Sequence, residues 1–273
     1  MTTRIQTSAY DEQREQAEVR QRRGLYAASH QLYTDLLADL EQDLGAEDPF
    51  TLRVRHEGAL ALYGLGRWAD GAAQLRRTLA ARERVLGPDH ADTLDTLGRL
   101  AEAIGEGQRW TEAEELAREA LRRAETALGA RHPVTLNNRL ALAWVLARTA
   151  DSEAEPHVRE AVGHIEEVHG AEHPLTWSAR NLLVRVLCDQ QRWDEVEPEA
   201  RALLTVREWH LGTNHPHTLM IRADLARILH HTGNPREAAT LIGQALTTCE
   251  RTLGPEHPRT DWVRQTHQAI TIS

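Results

Sequence analysis

The chain has 273 residues, a net charge of −9, and 27% charged against 41% hydrophobic residues, the balance of a protein that folds in water. All 32 basic residues are arginine and the two signs are interspersed, so the concentrated basic face that nucleic acid requires is missing. Met1–Tyr10 has no apolar core for a signal peptide, and no stretch reaches the ~18–20 apolar residues of a membrane span, which predicts a cytoplasmic protein without membrane contact.

Residues 1–8 are expected to be disordered. Helices near Ala9–Arg22 and Ala27–Leu44 then form a degenerate first unit over residues 9–48. From there one phrase recurs: Leu44-Gly45…Asp48-Pro49, Leu86-Gly87…His90-Ala91, Leu128-Gly129…His132-Pro133, His169-Gly170…His173-Pro174, Leu211-Gly212…His215-Pro216 and Leu253-Gly254…His257-Pro258. The glycines are spaced 42, 42, 41, 42 and 42, which is the mark of a stacked repeat array. Five repeats fill residues 49–257. In the second, Leu94, Leu97, Leu100, Ala101 and Ile104 give the stripe of a first helix, and Gly105 and Gly107 weaken its end. Gln108-Arg109-Trp110-Thr111 turns the chain. Ala113, Leu116, Ala117, Ala120, Leu121, Ala124 and Leu128 then give a second helix, closed by Gly129.

Thr51, Thr93, Thr135, Thr176, Thr218 and Thr260 share one column, three residues after the Asp or His that precedes each first helix. That spacing allows reciprocal side-chain to backbone bonds at a helix start. The third repeat has lost one residue around Thr149–Ser152, and the fifth carries Pro235 at its turn. After His257-Pro258 only a capping helix over 258–270 remains, so residues 9–270 are expected to form one all-α solenoid held by neighbour contacts. Cys188 and Cys249 stand in apolar helical contexts and read as free core thiols.

Gly-Arg-Trp-x-x-Ala-x-x-Leu, then Ala-Leu, then Leu-Gly-x-x-His-Pro-x-Thr-Leu, resembles the tetratricopeptide repeat. The chain is similar in particular to the long, 42-residue form of kinesin light chains, over about Ala9 to Ile270. The small residues Ala59, Ala101, Ala143 and Ala226 recur in first helices, and Ala113, Ala154 and Ala238 in second helices. Val184, Val196 and Gly71 depart from that pattern. The resemblance implies a right-handed superhelical solenoid whose first helices line a concave groove.

No cofactor and no metal is expected. His90, His132, His173, His215 and His257 recur one per repeat at helix starts, at least a helix diameter apart, whereas zinc ligands converge at ~2 Å. No phosphate loop or nucleophile elbow is present, and the many glutamates follow helix-face spacing, so no enzyme is expected. Arg55, Arg139, Arg180, Arg222 and Arg264 recur at one place in the first helix and read as structural ion pairs between helices.

Four groove columns do not repeat: Leu60, Glu102, Trp144, Arg185, Arg227, Ala269; Gly64, Glu106, Arg148, Asp189, His231; His56, Gly98, Leu140, Asn181, Ala223, Gln265; and Arg53, Asp95, Asn137, Ser178, Met220, Trp262. Asp95, Glu102 and Glu106 make the second repeat's face acidic, and Trp144, Arg148, Asn181, Arg185 and Arg227 make the later face cationic with one aromatic. Arginine, tryptophan and asparagine together suit an extended peptide with carboxylates. The expected site is therefore Trp144, Arg148, Asn181, Arg185, Arg227, Asn137 and His231, taking a protein or peptide with acidic or C-terminal carboxylate groups. The expected role is an adaptor or scaffold. Two rivals are a peptide-sensing regulatory protein and an accessory subunit of a separate enzyme or signalling ATPase.

Overall fold

A computed structural model describes residues 2–149 and 152–272, with side chains described from 9 to 149 and from 152 to 271. Met1, Ala150, Asp151 and Ser273 lie outside the described residues, and with them the middle of the shortened turn expected at Thr149–Ser152. Among the described residues the secondary structure is thirteen helices and no strand. They are α1 (Thr2–Arg22), α2 (Tyr26–Asp43), α3 (Pro49–Gly64), α4 (Trp68–Val85), α5 (Ala91–Glu106), α6 (Trp110–Leu128), α7 (Pro133–Arg148), α8 (Ala154–His169), α9 (Pro174–Asp189), α10 (Trp193–Leu211), α11 (Pro216–His231), α12 (Pro235–Thr252) and α13 (Pro258–Ile272). Helix α1 begins at Thr2, ahead of the expected Ala9. No helix among the described residues is long and apolar enough to cross a membrane.

The chain divides into two compact units, Met1–Val145 and Leu146–Ser273, with the boundary inside α7. In the first unit each helix from α1 to α6 packs on the next, and α1 also touches α3. In the second, α8 to α13 pack in the same serial way, and the alternate helices α9, α11 and α13 touch in turn. Alanines hold the close crossings: Ala59, Ala101, Ala113 and Ala117 in the first unit and Ala200, Ala226, Ala238 and Ala245 in the second are all at most 1% exposed.

Each first helix opens on the same bond. The imidazole Nδ1 of His90, His132, His173, His215 and His257 accepts the backbone N–H two residues on, at 3.0–3.2 Å. Asp48 makes the equivalent bond to Phe50 at 2.8 Å. The buried threonine column does not return a bond to that cap. Thr93 and Thr176 instead donate to the carbonyls of Gly87 and Gly170, closing the loop that enters the helix. Second helices stop where the chain must turn left-handed: at Gly129 φ is +87°, a value that a side chain disfavours.

The arginine column is structural. Arg55, Arg139, Arg180, Arg222 and Arg264 each pair with the glutamate fourteen residues earlier on the preceding second helix, Glu41, Glu125, Glu166, Glu208 and Glu250. The second repeat has Leu97 in this column and lacks the pair.

Candidate functional site

In the first unit the acidic face of α5 is already matched by neighbours. Asp95 takes His56 Nε2 at 3.1 Å and lies 3.9 Å from Arg99 Nε. Arg99 donates to Glu102 at 3.0 Å, and Tyr63 Oη donates to Glu106 at 3.1 Å. Burial would raise the Asp95 carboxyl, but the hydrogen bond and charge of His56, with Arg99 and Arg82, hold it well below the usual carboxylate range. Glu102 is pushed up, by burial first and by Asp95 and Glu106 in addition, against the pull of Arg99.

Two of the expected site residues belong to this unit. Trp144 is half-buried, its ring 5.6 Å from that of Trp110. Both indoles meet over Gly105, where an added Cβ would come within 2.6 Å of Trp144 and 3.2 Å of Trp110, so only glycine fits there. Asn137 is half-buried and its Oδ1 makes no hydrogen bond.

The other five belong to the second unit. Arg148 is exposed at the end of α7. Asn181 is turned inward: its Oδ1 accepts from Arg207 Nη1 at 2.8 Å. Arg207 comes from α10, is 4% exposed, and also donates to the carbonyls of His217 and Trp177, at 2.9 and 3.2 Å. Burial brings its pKa down to about 10, against the opposing charge of Asp224. Arg227 lies 3.6 Å from Asp189 and 3.8 Å from Asp224. His231 stacks on Trp193 at 4.2 Å with the rings 10° apart, and burial, with His230 and Arg227, lowers its pKa. Arg185, on α9, is half-buried and makes no hydrogen bond or ion pair among the described residues. Of Arg185 and Arg227, it is the one without an ion pair.

Two residues that sequence reasoning passed over organise this surface, Arg207 and Asp224. Only the first carried a signal. Arg207 stands in a column that reads Leu40, Arg82, Ala124, Ile165 and Cys249 in other repeats, whereas the Asp224 column reads Glu57, Arg99, Ala141, Leu182 and Thr266. A charge in an otherwise apolar column marks Arg82 and Arg207, and the Asp224 column is already mixed. Among the described residues no three His, Cys, Asp or Glu side chains gather where a metal ion could be held.

The tetratricopeptide repeat family model matches residues 51–92, 93–134, 176–217 and 218–259. No curated protein matches by sequence. Among solved structures, a Rap protein complexed with Competence and Sporulation Factor has a TM-score of 0.62 at 13% identity, over 97% of this chain and 88% of that one. BtubC (BKLC) from P. vanneervenii has a TM-score of 0.59 at 17% identity, over 85% and 92%. Nearly identical TPR-like repeats from Podosopora anserina, described as kinesin light chain, have a TM-score of 0.55 at 23% identity, over 74% and 95%. At these identities the likeness is one of fold.

Proposed function

We propose that this chain, which belongs to the tetratricopeptide repeat family, binds a protein or peptide segment along its first helices and serves as an adaptor or scaffold without chemistry of its own. The observation that carries the reading is Arg185. The recurrent arginines are spent on glutamates, and the acidic face of α5 on its neighbours. Arg185 sits in a column that does not repeat and keeps its guanidinium unpaired among the described residues, which suits a carboxylate arriving from outside. A protein of the same fold, the Rap protein, is itself found in complex with Competence and Sporulation Factor.

The test begins with a partner captured from the native host, identified by mass spectrometry and then purified. Arg185→Gln is the informative variant: Arg185 makes no hydrogen bond or ion pair among the described residues, whereas Arg227 faces Asp189 and Asp224, and a neutral side chain puts no second negative charge near the buried Asp224. The variant is expected to keep its helical circular dichroism and to bind the partner about tenfold more weakly, the worth of one charge-assisted contact. Affinity that stays within about twofold, with the helical signal intact, rules out this surface as the site.

A further inference from the structure

Helix α10 packs on α9 and α11 through a buried side made by Val196, Ala200, Leu203, Leu204 and Arg207. The opposite side reads Pro198, Ala202, Thr205 and Trp209, all four exposed. Trp209 is 85% exposed, and the next large apolar side chain among the described residues, Leu25, is 54% exposed. In every other second helix these four places hold charge: Asp35 in α2, Arg84 in α4, Arg122 in α6, Glu167 in α8 and Arg251 in α12. Charge there keeps an outward face in water. In α10 alone the four places carry none, and a tryptophan stands where α4 and α12 have arginine. A bare indole on a charge-free face is the mark of a contact surface.

The spacing of four, three and four residues is that of a seam between two helices lying side by side. Size and charge say which second helix fits. The stripe is large at Trp209, flat at Pro198 and small between them. A second α10, laid antiparallel about a two-fold axis midway between Ala202 and Thr205, sets Trp209 on the partner's Pro198 at both ends. It also sets Ala202 against the partner's Thr205 at the centre, where small side chains let the helices close. The first turn of α10 holds Asp194 and Glu195, and its last turn holds His210. The antiparallel arrangement brings those acids towards the partner's His210 and opposes the two helix dipoles. A parallel pair would put acid against acid and indole against indole. The charges flanking the stripe are settled within the chain, Arg201 by Glu197 and Glu237, and Glu208 by Arg222, so they do not repel a copy. We propose that the outward face of α10 is the seam of an antiparallel, two-fold pairing with a second copy of this chain. The stripe is about 18 Å long. One such helix pair buries less than the ~1,200 Å² of a standard interface, so the dimer is a reversible one.

Sedimentation velocity of the full chain from about 5 to about 500 µM tests the pairing. The average mass is expected to rise from 30.8 kDa towards twice that value, with a midpoint on the order of 100 µM. Trp209→Arg copies Arg84 and Arg251, and Pro198→Glu copies Glu115, each at the same place in another second helix. Both side chains are exposed in the single chain, so the helical circular dichroism is expected to stay unchanged. Each variant alone is expected to dimerise at least about tenfold more weakly. An equimolar mixture of the two is expected to recover the association. There the two-fold sets the introduced carboxylate of one chain against the introduced guanidinium of the other, and the second end keeps its native Trp209–Pro198 contact. A mixture without recovery overturns the antiparallel arrangement. A dimer that survives Trp209→Arg at full strength lies elsewhere on the molecule and overturns the seam. A wild-type chain that stays at 30.8 kDa up to about 500 µM leaves the stripe to a different protein and overturns the proposal.

Discussion

Each unit buries one arginine at the same place on a second helix, and the carboxylates beside the two are provided for differently. Arg82, 3% exposed, donates to the Asp92 carbonyl at 2.7 Å and to Thr96 Oγ1 at 2.8 Å. Thr96 Oγ1 also stands 3.4 Å from His56 Nδ1, and His56 Nε2 meets Asp95. Among the described residues Arg82 makes no ion pair of its own, and the carboxylate of its network, Asp95, is held by His56. Arg207 in the second unit likewise has hydrogen bonds but no ion pair, and Asp224, the carboxylate that opposes its charge, keeps a bare Oδ1. The two buried arginines are thus held alike, and the carboxylates beside them are not.

The largest effect that tests this comparison is on stability. Arg207→Met places an apolar side chain in a column that, apart from Arg82, holds Leu40, Ala124, Ile165 and Cys249. It leaves Asp224 buried with less opposing charge, and the expected cost is about 3 kcal/mol by urea unfolding. Arg82→Met is expected to cost about 1–2 kcal/mol, since Thr96 keeps its bond to the Asp92 carbonyl and Asp95 keeps His56. Adding Asp224→Leu to Arg207→Met removes both buried charges and is expected to return stability to within about 1 kcal/mol of wild type. Equal losses for the two arginines, or no recovery in the double variant, would break the comparison.

A smaller effect separates the caps. In the second unit His173 Nδ1 accepts the Leu175 N–H, which requires an unprotonated nitrogen. Burial, and then the charge of the stacked His169, lower its pKa from the ordinary ~6.5. The folded state therefore disfavours the protonated ring. The stability from this cap is full above ~6.5 and is lost as pH falls through the lowered value. In the first unit Asp48 makes the same bond with a carboxylate in place of the imidazole. His173→Asp is accordingly expected to flatten the loss of stability between about pH 7 and pH 5 by about 1 kcal/mol, and Asp48→His to steepen it. Unfolding midpoints at the two pH values decide the matter, and unchanged slopes in both variants would sink the argument.

How far these differences could be read from the sequence depends on their range. The hairpins, the capping residues and the Arg–Glu column were legible because each is set by spacing that the repeat restates. The expected groove residues were chosen from columns that vary, and variation does not reveal what a neighbour has already used. Asn181 looked free for a peptide backbone, yet Arg207, twenty-six residues later on another helix, takes its oxygen. Trp144 looked like a flat anchor, yet Gly105 and Trp110 receive part of its ring. Arg227 looked like the twin of Arg185, and only the second is unpaired. Asp224 lay outside the four columns compared, so it fell outside the candidate set.

The smallest prediction serves as a control for the first. Among the described residues, five hairpin turns carry a left-handed residue. Gly24, Gly66 and Gly233 supply it at φ +74°, +74° and +86°, while Gln108 in the first unit and Gln191 in the second adopt it at φ +62° and +60°. A side chain there costs about 1–2 kcal/mol, and glycine gives back about 0.4–1 kcal/mol through the freedom it restores to the unfolded chain. Gln108→Gly and Gln191→Gly should each therefore stabilise the protein by a few tenths of a kcal/mol, with the same sign and nearly the same size. Neither glutamine is part of the Arg82 or Arg207 network. A matched gain in the two units would show that turns report equally on both, so a larger loss at Arg207 than at Arg82 belongs to the buried charge. An unmatched gain would trace that difference to the units as wholes and take the comparison apart.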